Sequence, residues 1–293
     1  MYRLDGVNNN NKSILILEGG AMRGLFSSAI LDFFLDENIV FDTVVGVSAG
    51  AAFGCNYKSK QKGRAIRYNL RFKDDWRYSS LRSLLLTGNI YGAKFCYDTI
   101  PNKLDLFDTK TFSENPMKFI MVATDCETGN PYYYEATDGK EKDLLWMRAS
   151  ASMPIVSRRV KIDGRYYLDG GISDSIPYHY AKENGYEKIV VILTQPREYR
   201  KDETKSNALI PLIYRGKNKG ISERMKTRAK DYNDIRAEIF RDSENGDCFV
   251  IAPDKPLGVK HIEKDGDKLL SCYNQGVSKG KELLESLKQY LVV

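Results

Sequence analysis

A serine, a glycine-rich loop and an aspartate stand out for the chemistry they could do together. Ser48 lies in Gly46-Val-Ser-Ala-Gly50, a G-x-S-x-G pentapeptide. A serine hydroxyl becomes an effective nucleophile when a neighbouring base takes its proton. Histidine is the usual base, and the chain has only His179 and His261. Leu17-Glu-Gly-Gly-Ala-Met-Arg-Gly24 is a loop whose exposed amides would suit an anion. Tyr166-Tyr-Leu-Asp-Gly-Gly171 sets the Asp169 carboxylate just before two glycines.

The surrounding residues say which elements hold these groups. Ser13 to Leu17 is a short apolar run ended by Gly19 and Gly20, the pattern of a buried strand. Beyond Gly24, Phe26, Ala29, Ile30, Phe33 and Phe34 recur at helical spacing. Phe41 to Val45 reads as a second buried strand, and small helix formers follow from Ala49. Strand, glycine turn and helix, twice over, predict an α/β protein with a parallel sheet. Ser48 then sits on a strand-to-helix turn, the geometry of a nucleophile elbow, where Gly46 and Gly50 are small because two backbones crowd together. The helix that follows points its N-terminus at the site, favouring developing negative charge. A tight turn capped by a serine is the plainer alternative.

Lys118 to Thr124 predicts a third strand, leading into a turn at Thr128-Gly-Asn-Pro131. Val160 to Ile162 and Arg165 to Leu168 flank Asp163-Gly164, a hairpin signal. Lys188 to Leu193 and Cys248 to Ala252 complete the strands. Val277, Leu284, Leu287 and Leu291 mark a closing amphipathic helix, with Gly280 as a weak spot in its first turn. Arg200 to Lys219 reads as the loosest region, and there are no repeats and no clear second domain.

Two anions fit the glycine loop. A dinucleotide pyrophosphate needs G-x-G-x-x-G, and Ala21 occupies a required glycine, although Asp42 falls near the place of a ribose-binding acid. The other anion is the oxyanion of an acyl-transfer intermediate. For the base, Ser48, Asp169 and a histidine would follow the chain order of α/β-hydrolases. Neither His179 nor His261 has turn residues around it that would expose an imidazole in a cleft. Asp169, at a strand end before two glycines, is better placed, and a partly dry cleft would raise its basicity.

Taken together, Glu18-Gly-Gly-Ala-Met-Arg-Gly24, Gly46-Val-Ser-Ala-Gly50 and Asp169-Gly-Gly171 resemble the patatin-like phospholipase family, in its order of motifs. The likeness extends to Met117–Thr124, to Arg148-Ala-Ser-Ala-Ser-Met-Pro154 and to Asp163–Gly171, and spans about residues 13 to 195. The resemblance implies a three-layer α/β/α fold with a mostly parallel sheet and a Ser–Asp dyad that hydrolyses lipid acyl esters without histidine. It makes Ser48 the nucleophile, Asp169 the general base, and the amides of Gly19, Gly20 and Ala21 the oxyanion hole. Arg23 would orient the loop or meet a lipid headgroup, with Gly24, Gly46, Gly50, Gly170 and Gly171 in support. Ala21 departs from the family's third glycine. At positive φ it would strain the loop by about 1–2 kcal/mol, and at negative φ by little.

Composition bounds the remainder. With 293 residues and 42% hydrophobic content the chain can bury a sizeable core. We expect a catalytic domain over 13–195 and an extension over 196–293 packed on it. No apolar run reaches the length of a membrane span, and the polar N-terminus lacks a signal peptide's centre, so the expected location is cytoplasmic, with peripheral membrane contact. The five cysteines are odd in number and scattered, pointing to free thiols, and no clustered ligands suggest a metal or cofactor. The +6 charge concentrates in Arg197–Lys230, where eleven basic residues face four acidic ones. Such a segment could meet anionic lipid, or be a solvated helix face. No nucleic-acid motif accompanies it. Arg82 to Leu86, downstream of the basic run Lys58–Lys73, reads as an interfacial lid or as a helix packing three leucines inward. Two other functions fit the same residues, a triad esterase using a histidine and a non-enzymatic lipid- or anion-binding module.

Overall fold

A computed structural model describes residues 12–202 and 218–292. In chain order, β1 (Ser13–Leu17), α1 (Gly24–Asp36), β2 (Thr43–Val47), α2 (Ala49–Lys58), α3 (Arg64–Phe72) and α4 (Leu81–Thr87) open the fold. A π-helical stretch (Phe95–Leu104), α5 (Thr109–Glu114), β3 (Lys118–Asp125), β4 (Pro131–Ala136) and α6 (Glu141–Ser150) follow. Next come β5 (Val160–Ile162), β6 (Arg165–Asp169), α7 (Tyr178–Glu183) and β7 (Lys188–Ile192). The last elements are α8 (Lys219–Glu244), β8 (Phe249–Ile251) and α9 (Gly266–Val292). The region expected to be loosest, Arg200 to Lys219, falls mostly outside the described residues.

The eight strands form one sheet ordered β5-β6-β3-β2-β1-β7-β8, with β4 also on β3. β3, β2, β1, β7 and β8 run parallel, while β4, β5 and β6 are antiparallel additions. Both faces of the parallel part are apolar because both are covered. Leu15, Leu17, Val44, Phe119 and Met121 join a core with α1, α2, α3 and α9. Their alternates Ile14, Ile16, Val45, Ile120 and Val122 join a second core with Tyr178 of α7 and Tyr232 and Ile239 of α8. The result is a three-layer α/β/α sandwich.

The register of β3 decides the functional geometry. β2 pairs with β3 through Val47 opposite Val122. β6 pairs with β3 through Asp169 opposite Ala123. Since β4 takes Phe119 to Thr124 on β3's other edge, β2 and β6 must share one edge. Ser48, the residue after Val47, therefore arrives where Asp169 stands. Gly170 is needed there, because a Cβ on it would come within 2.2 Å of the Val122 carbonyl oxygen.

Two sequence readings change. The closing helix begins at Gly266, so Gly280 lies in its interior rather than its first turn. A Cβ on Gly276 would meet the Phe26 carbonyl at 2.2 Å, and one on Gly280 would meet the Phe33 ring at 2.9 Å. These glycines let α9 lie tightly on α1. Nor do all the α4 leucines pack inward, since Leu81, Leu85 and Leu86 are 70%, 86% and 63% exposed while Leu84 is half-buried.

Candidate active site

Ser48 joins β2 to α2 with φ 55° and ψ −118°, outside the usual range for a residue with a side chain. The bend is held on all sides. Ala51 and Ala52 donate to the Ser48 carbonyl at 3.0 Å, and the Ser48 amide donates to Ser150 Oγ at 3.0 Å. A Cβ on Gly46 would strike Gly50 and the Ala51 nitrogen at 2.6 Å, and one on Gly50 would strike the Leu17 carbonyl oxygen at 2.4 Å. The crowding that the pentapeptide predicts is present.

Asp169 is 1% exposed. Its Oδ1 accepts from the Gly171 amide at 2.8 Å, while the buried Oδ2 has no hydrogen-bond partner. Its backbone is fixed as well, with the amide donating to Ser152 at 2.8 Å and the carbonyl accepting from Thr124 Oγ1 at 2.8 Å. Burial pushes the carboxyl above the usual carboxylate range, and the Ser48 hydroxyl, the Gly171 amide, Arg228 and Lys201 pull it partly back. Ser48 and Asp169 line the same cavity. The hydroxyl is thus close enough to influence the carboxyl without closing a well-formed hydrogen bond to Oδ2.

The glycine loop lies against the serine. A Cβ on Gly19 would approach Ser48 Cβ to 2.9 Å, and one on Gly24 would meet Ala49 Cβ at the same distance. Among the described residues, the amides of Gly19, Gly20 and Ala21 donate to no protein acceptor. Glu18 pins the loop from beneath. Its carboxylate accepts from the Thr194 amide at 2.6 Å and from the Tyr232 hydroxyl at 2.5 Å, and Thr194 Oγ1 donates to the Gly19 carbonyl at 2.8 Å. Ala21 has φ 50°, so it takes the strained one of its two expected conformations. Asp42 caps the opposite end of the sheet, accepting from Ser13 N and Oγ at 2.8 and 2.9 Å, far from any ligand on the loop.

Two cavities meet at Ser48. One, of about 490 Å³, runs between aromatic and aliphatic side chains including Phe53, Tyr68, Tyr97, Ile100 and Met147. The other, of about 520 Å³, has a lining that is still largely apolar but carries the charged side chains of Arg23, Asp169 and Lys201, with Arg228 on the wall of both cavities. His261 lines both, and its imidazole is pushed below its ordinary pKa by burial and by Arg23 and Arg228. His179 is elsewhere, paired with Glu238 at 2.7 Å on an exposed helix face. Ser150 lies in the Arg148–Pro154 stretch and Lys201 and Arg228 in the basic segment, but neither feature places them at the serine. His261 reaches a cleft despite lacking turn residues around it. Sheet and helix packing brings all four here. Among the described residues no three His, Cys, Asp or Glu side chains gather as metal ligands.

A model of patatin-like phospholipases matches residues 15–182, and a domain of unknown function, DUF6363, matches residues 218–292. The uncharacterized protein YjjU of Escherichia coli is 29% identical over 260 residues, spanning 83% of this chain and 69% of its own. The lysophospholipase NTE1 of Debaryomyces hansenii is 24% identical over 197 residues, covering 65% of this chain but 12% of that much longer protein. Among solved structures, VipD from Legionella pneumophila superposes with a TM-score of 0.48 at 12% identity, over 94% of this chain and 67% of that one.

Proposed function

Because the chain belongs to the patatin-like phospholipase family, we propose that it hydrolyses fatty acyl esters of lipids through Ser48 and Asp169, by way of an acyl-enzyme. One observation carries this reading: Asp169 keeps an unpartnered, buried carboxylate oxygen in the cavity that Ser48 shares. Ser48 Oγ attacks the ester carbonyl as its proton passes to Asp169. The Gly19, Gly20 and Ala21 amides stabilise the oxyanion, each donor contributing about 3–4 kcal/mol. The alcohol departs with the proton from Asp169, and water, deprotonated by the same carboxylate, releases the fatty acid. The apolar cavity suits the acyl chain, and the printed activity of NTE1, a lysophospholipase, is consistent with a lysolipid substrate.

Ser48→Ala should abolish ester hydrolysis and labelling by a fluorophosphonate while leaving the fold intact. Retained hydrolysis would end the proposal, and an unlabelled, inactive wild type would favour the non-enzymatic binding module. The triad reading keeps one candidate, since His261 lines both cavities. His261→Ala at wild-type rate would remove it.

Access to lipid runs through α4. Among the described residues no helix is long and apolar enough to cross a membrane. The exposed leucines of α4 instead suit shallow insertion. The Ile90 amide donates to the Val156 carbonyl at 2.8 Å, tying the α4 hairpin to the rim of the acyl cavity. Much of the basic segment is already paired, as with Arg197–Glu244, Lys226–Glu223 and Lys230–Asp234. The described part of Arg197–Lys230 therefore plays the lesser role in membrane contact.

A further inference from the structure

We infer that Arg228 and Tyr232, one turn apart on α8, are positioning residues that hold the base and the oxyanion loop in register with Ser48. The inference rests on the hydrolase reading, and it gives the C-terminal portion a part in the reaction. Both residues lie outside 15–182 and within the 218–292 segment matched by the domain of unknown function. Residues four apart on a helix share one face. On that face, Arg228 Nε donates to the Gly171 carbonyl at 2.5 Å and the Tyr232 hydroxyl donates to Glu18 at 2.5 Å. One turn further, Arg236 Nη2 donates to the Pro196 carbonyl at 2.6 Å. The three acceptors belong to three loops, those following β6, β1 and β7.

Sheet geometry explains the match. β6 takes up the edge of β3 where β2 leaves it at Val122, so Asp169 stands beyond the end of β2, with β1 and β7 next in order. Neighbouring strands lie about 4.8 Å apart and a helical turn rises about 5.4 Å. Successive turns of α8 therefore meet successive loops. Each contact reaches the chemistry through one intermediary. Gly171, held at its carbonyl by Arg228, donates its amide to Asp169 Oδ1 at 2.8 Å. Glu18, held by Tyr232, also accepts from the Thr194 amide, and Thr194 Oγ1 donates to the Gly19 carbonyl at 2.8 Å. Arg236 is fully buried and fixes the helix two residues beyond Thr194. A slip of α8 by one residue would move every contact by about 1.5 Å, and a misplacement of about 1 Å can cost about 10²-fold in rate. Arg228 acts through charge as well. Burial raises the Asp169 carboxyl, while the Ser48 hydroxyl, the Gly171 amide, Arg228 and Lys201 lower it. Tyr97 lies close enough to feel its charge, and Glu18, Arg23, Asp202, Lys226 and His261 line the rest of that cavity. Without Arg228, Asp169 would be harder to ionise.

Steady-state hydrolysis of a soluble short-chain nitrophenyl ester tests the inference. Arg228→Met should lower kcat about tenfold or more with KM within about twofold, and move the acid limb of the rate profile up by about one pH unit. Arg228→Lys should return that limb towards wild type but recover only part of kcat, because its ammonium keeps the charge and reaches past the position of Nε. Tyr232→Phe should also lower kcat about tenfold, leaving the acid limb in place. Tyr178→Phe is the control: it removes a hydrogen bond of 3.0 Å to Asp242, farther along α8, and should change neither kcat nor the limb. Equal losses of kcat in Tyr178→Phe and Tyr232→Phe, or an Arg228→Met enzyme with wild-type kcat and acid limb, overturn the inference. Two further measurements need no turnover. Carbon NMR of the Asp169 carboxyl, assigned by its absence in Asp169→Asn, should show a raised titration in Arg228→Met. Amide exchange at Gly19 and Gly20 should quicken in Tyr232→Phe and not in Tyr178→Phe. If both appear while wild type hydrolyses no ester, the hydrolase reading fails and the positioning role stands; the absence of either overturns the role of that residue whatever the rates.

Discussion

At the scale of single residues, the Asp169 carboxylate is placed where it is costly to hold. Burial raises its pKa, so the folded chain keeps this proton more tightly than the unfolded chain does. The sign follows: stability from this group is full at low pH and is lost as pH rises through the raised value. On the proposed mechanism activity needs the ionised form, and it should fall as pH drops through the same value. Asp169→Asn should therefore lose about 10³-fold or more in kcat, yet melt higher than wild type at about pH 8, the gap closing towards about pH 4. Thermal melts and initial rates across pH would check both halves, and a lower melting temperature at high pH would contradict the first cause named. Ala21 makes a smaller claim. At φ 50° its strain of about 1 kcal/mol is offset by the freer unfolded chain of a glycine. Ala21→Gly should accordingly change stability by no more than about 0.5 kcal/mol and kcat/KM by no more than about threefold. Urea melts and steady-state kinetics decide; a gain beyond tenfold would mean that alanine limits the loop.

At the scale of elements, α4 and α9 bury different kinds of surface. Leu81, Leu85 and Leu86 of α4 are left to solvent, while their hairpin is tied to the cavity rim. Leu81→Ser with Leu85→Ser should weaken partitioning onto vesicles by about tenfold per leucine, with secondary structure unchanged. Sedimentation with vesicles measures this, and partitioning that survived the substitutions but collapsed in high salt would move the contact to the basic segment. In α9 the glycines do the opposite job of bringing backbone onto backbone. Gly276→Ala puts a methyl 2.2 Å from the Phe26 carbonyl and should destabilise the fold by about 2–3 kcal/mol, readable from a urea midpoint.

For the whole molecule, the C-terminal portion is part of the sandwich rather than an ornament on it. α8 contributes Tyr232 and Ile239 to one core, α9 contributes Leu269, Cys272 and Leu287 to the other, and Tyr232 also holds Glu18 under the glycine loop. A chain ended after Pro196 would expose both faces and release the loop. We expect it to show no cooperative thermal transition by circular dichroism; a truncated chain that melts cooperatively and binds a fluorophosphonate would show that the division at 196 separates independent units.

What could be read from the chain alone is local in origin. Alternation and apolar runs mark β1, β3 and β7, the Asp163-Gly164 pair marks the hairpin between β5 and β6, and crowded glycines mark the elbow, because each depends on neighbours within a few residues. The motifs Glu18–Gly24, Gly46–Gly50 and Asp169–Gly171 could be read for the same reason. The tertiary structure alone decided that Ser48 and Asp169 share one edge of β3, that Gly280 is a contact rather than a flaw, that Leu81, Leu85 and Leu86 face outward, and that His261, Lys201 and Arg228 converge on the serine. Those outcomes depend on strand register and helix packing between segments more than two hundred residues apart in places, and no periodicity in a single stretch encodes which face will meet which.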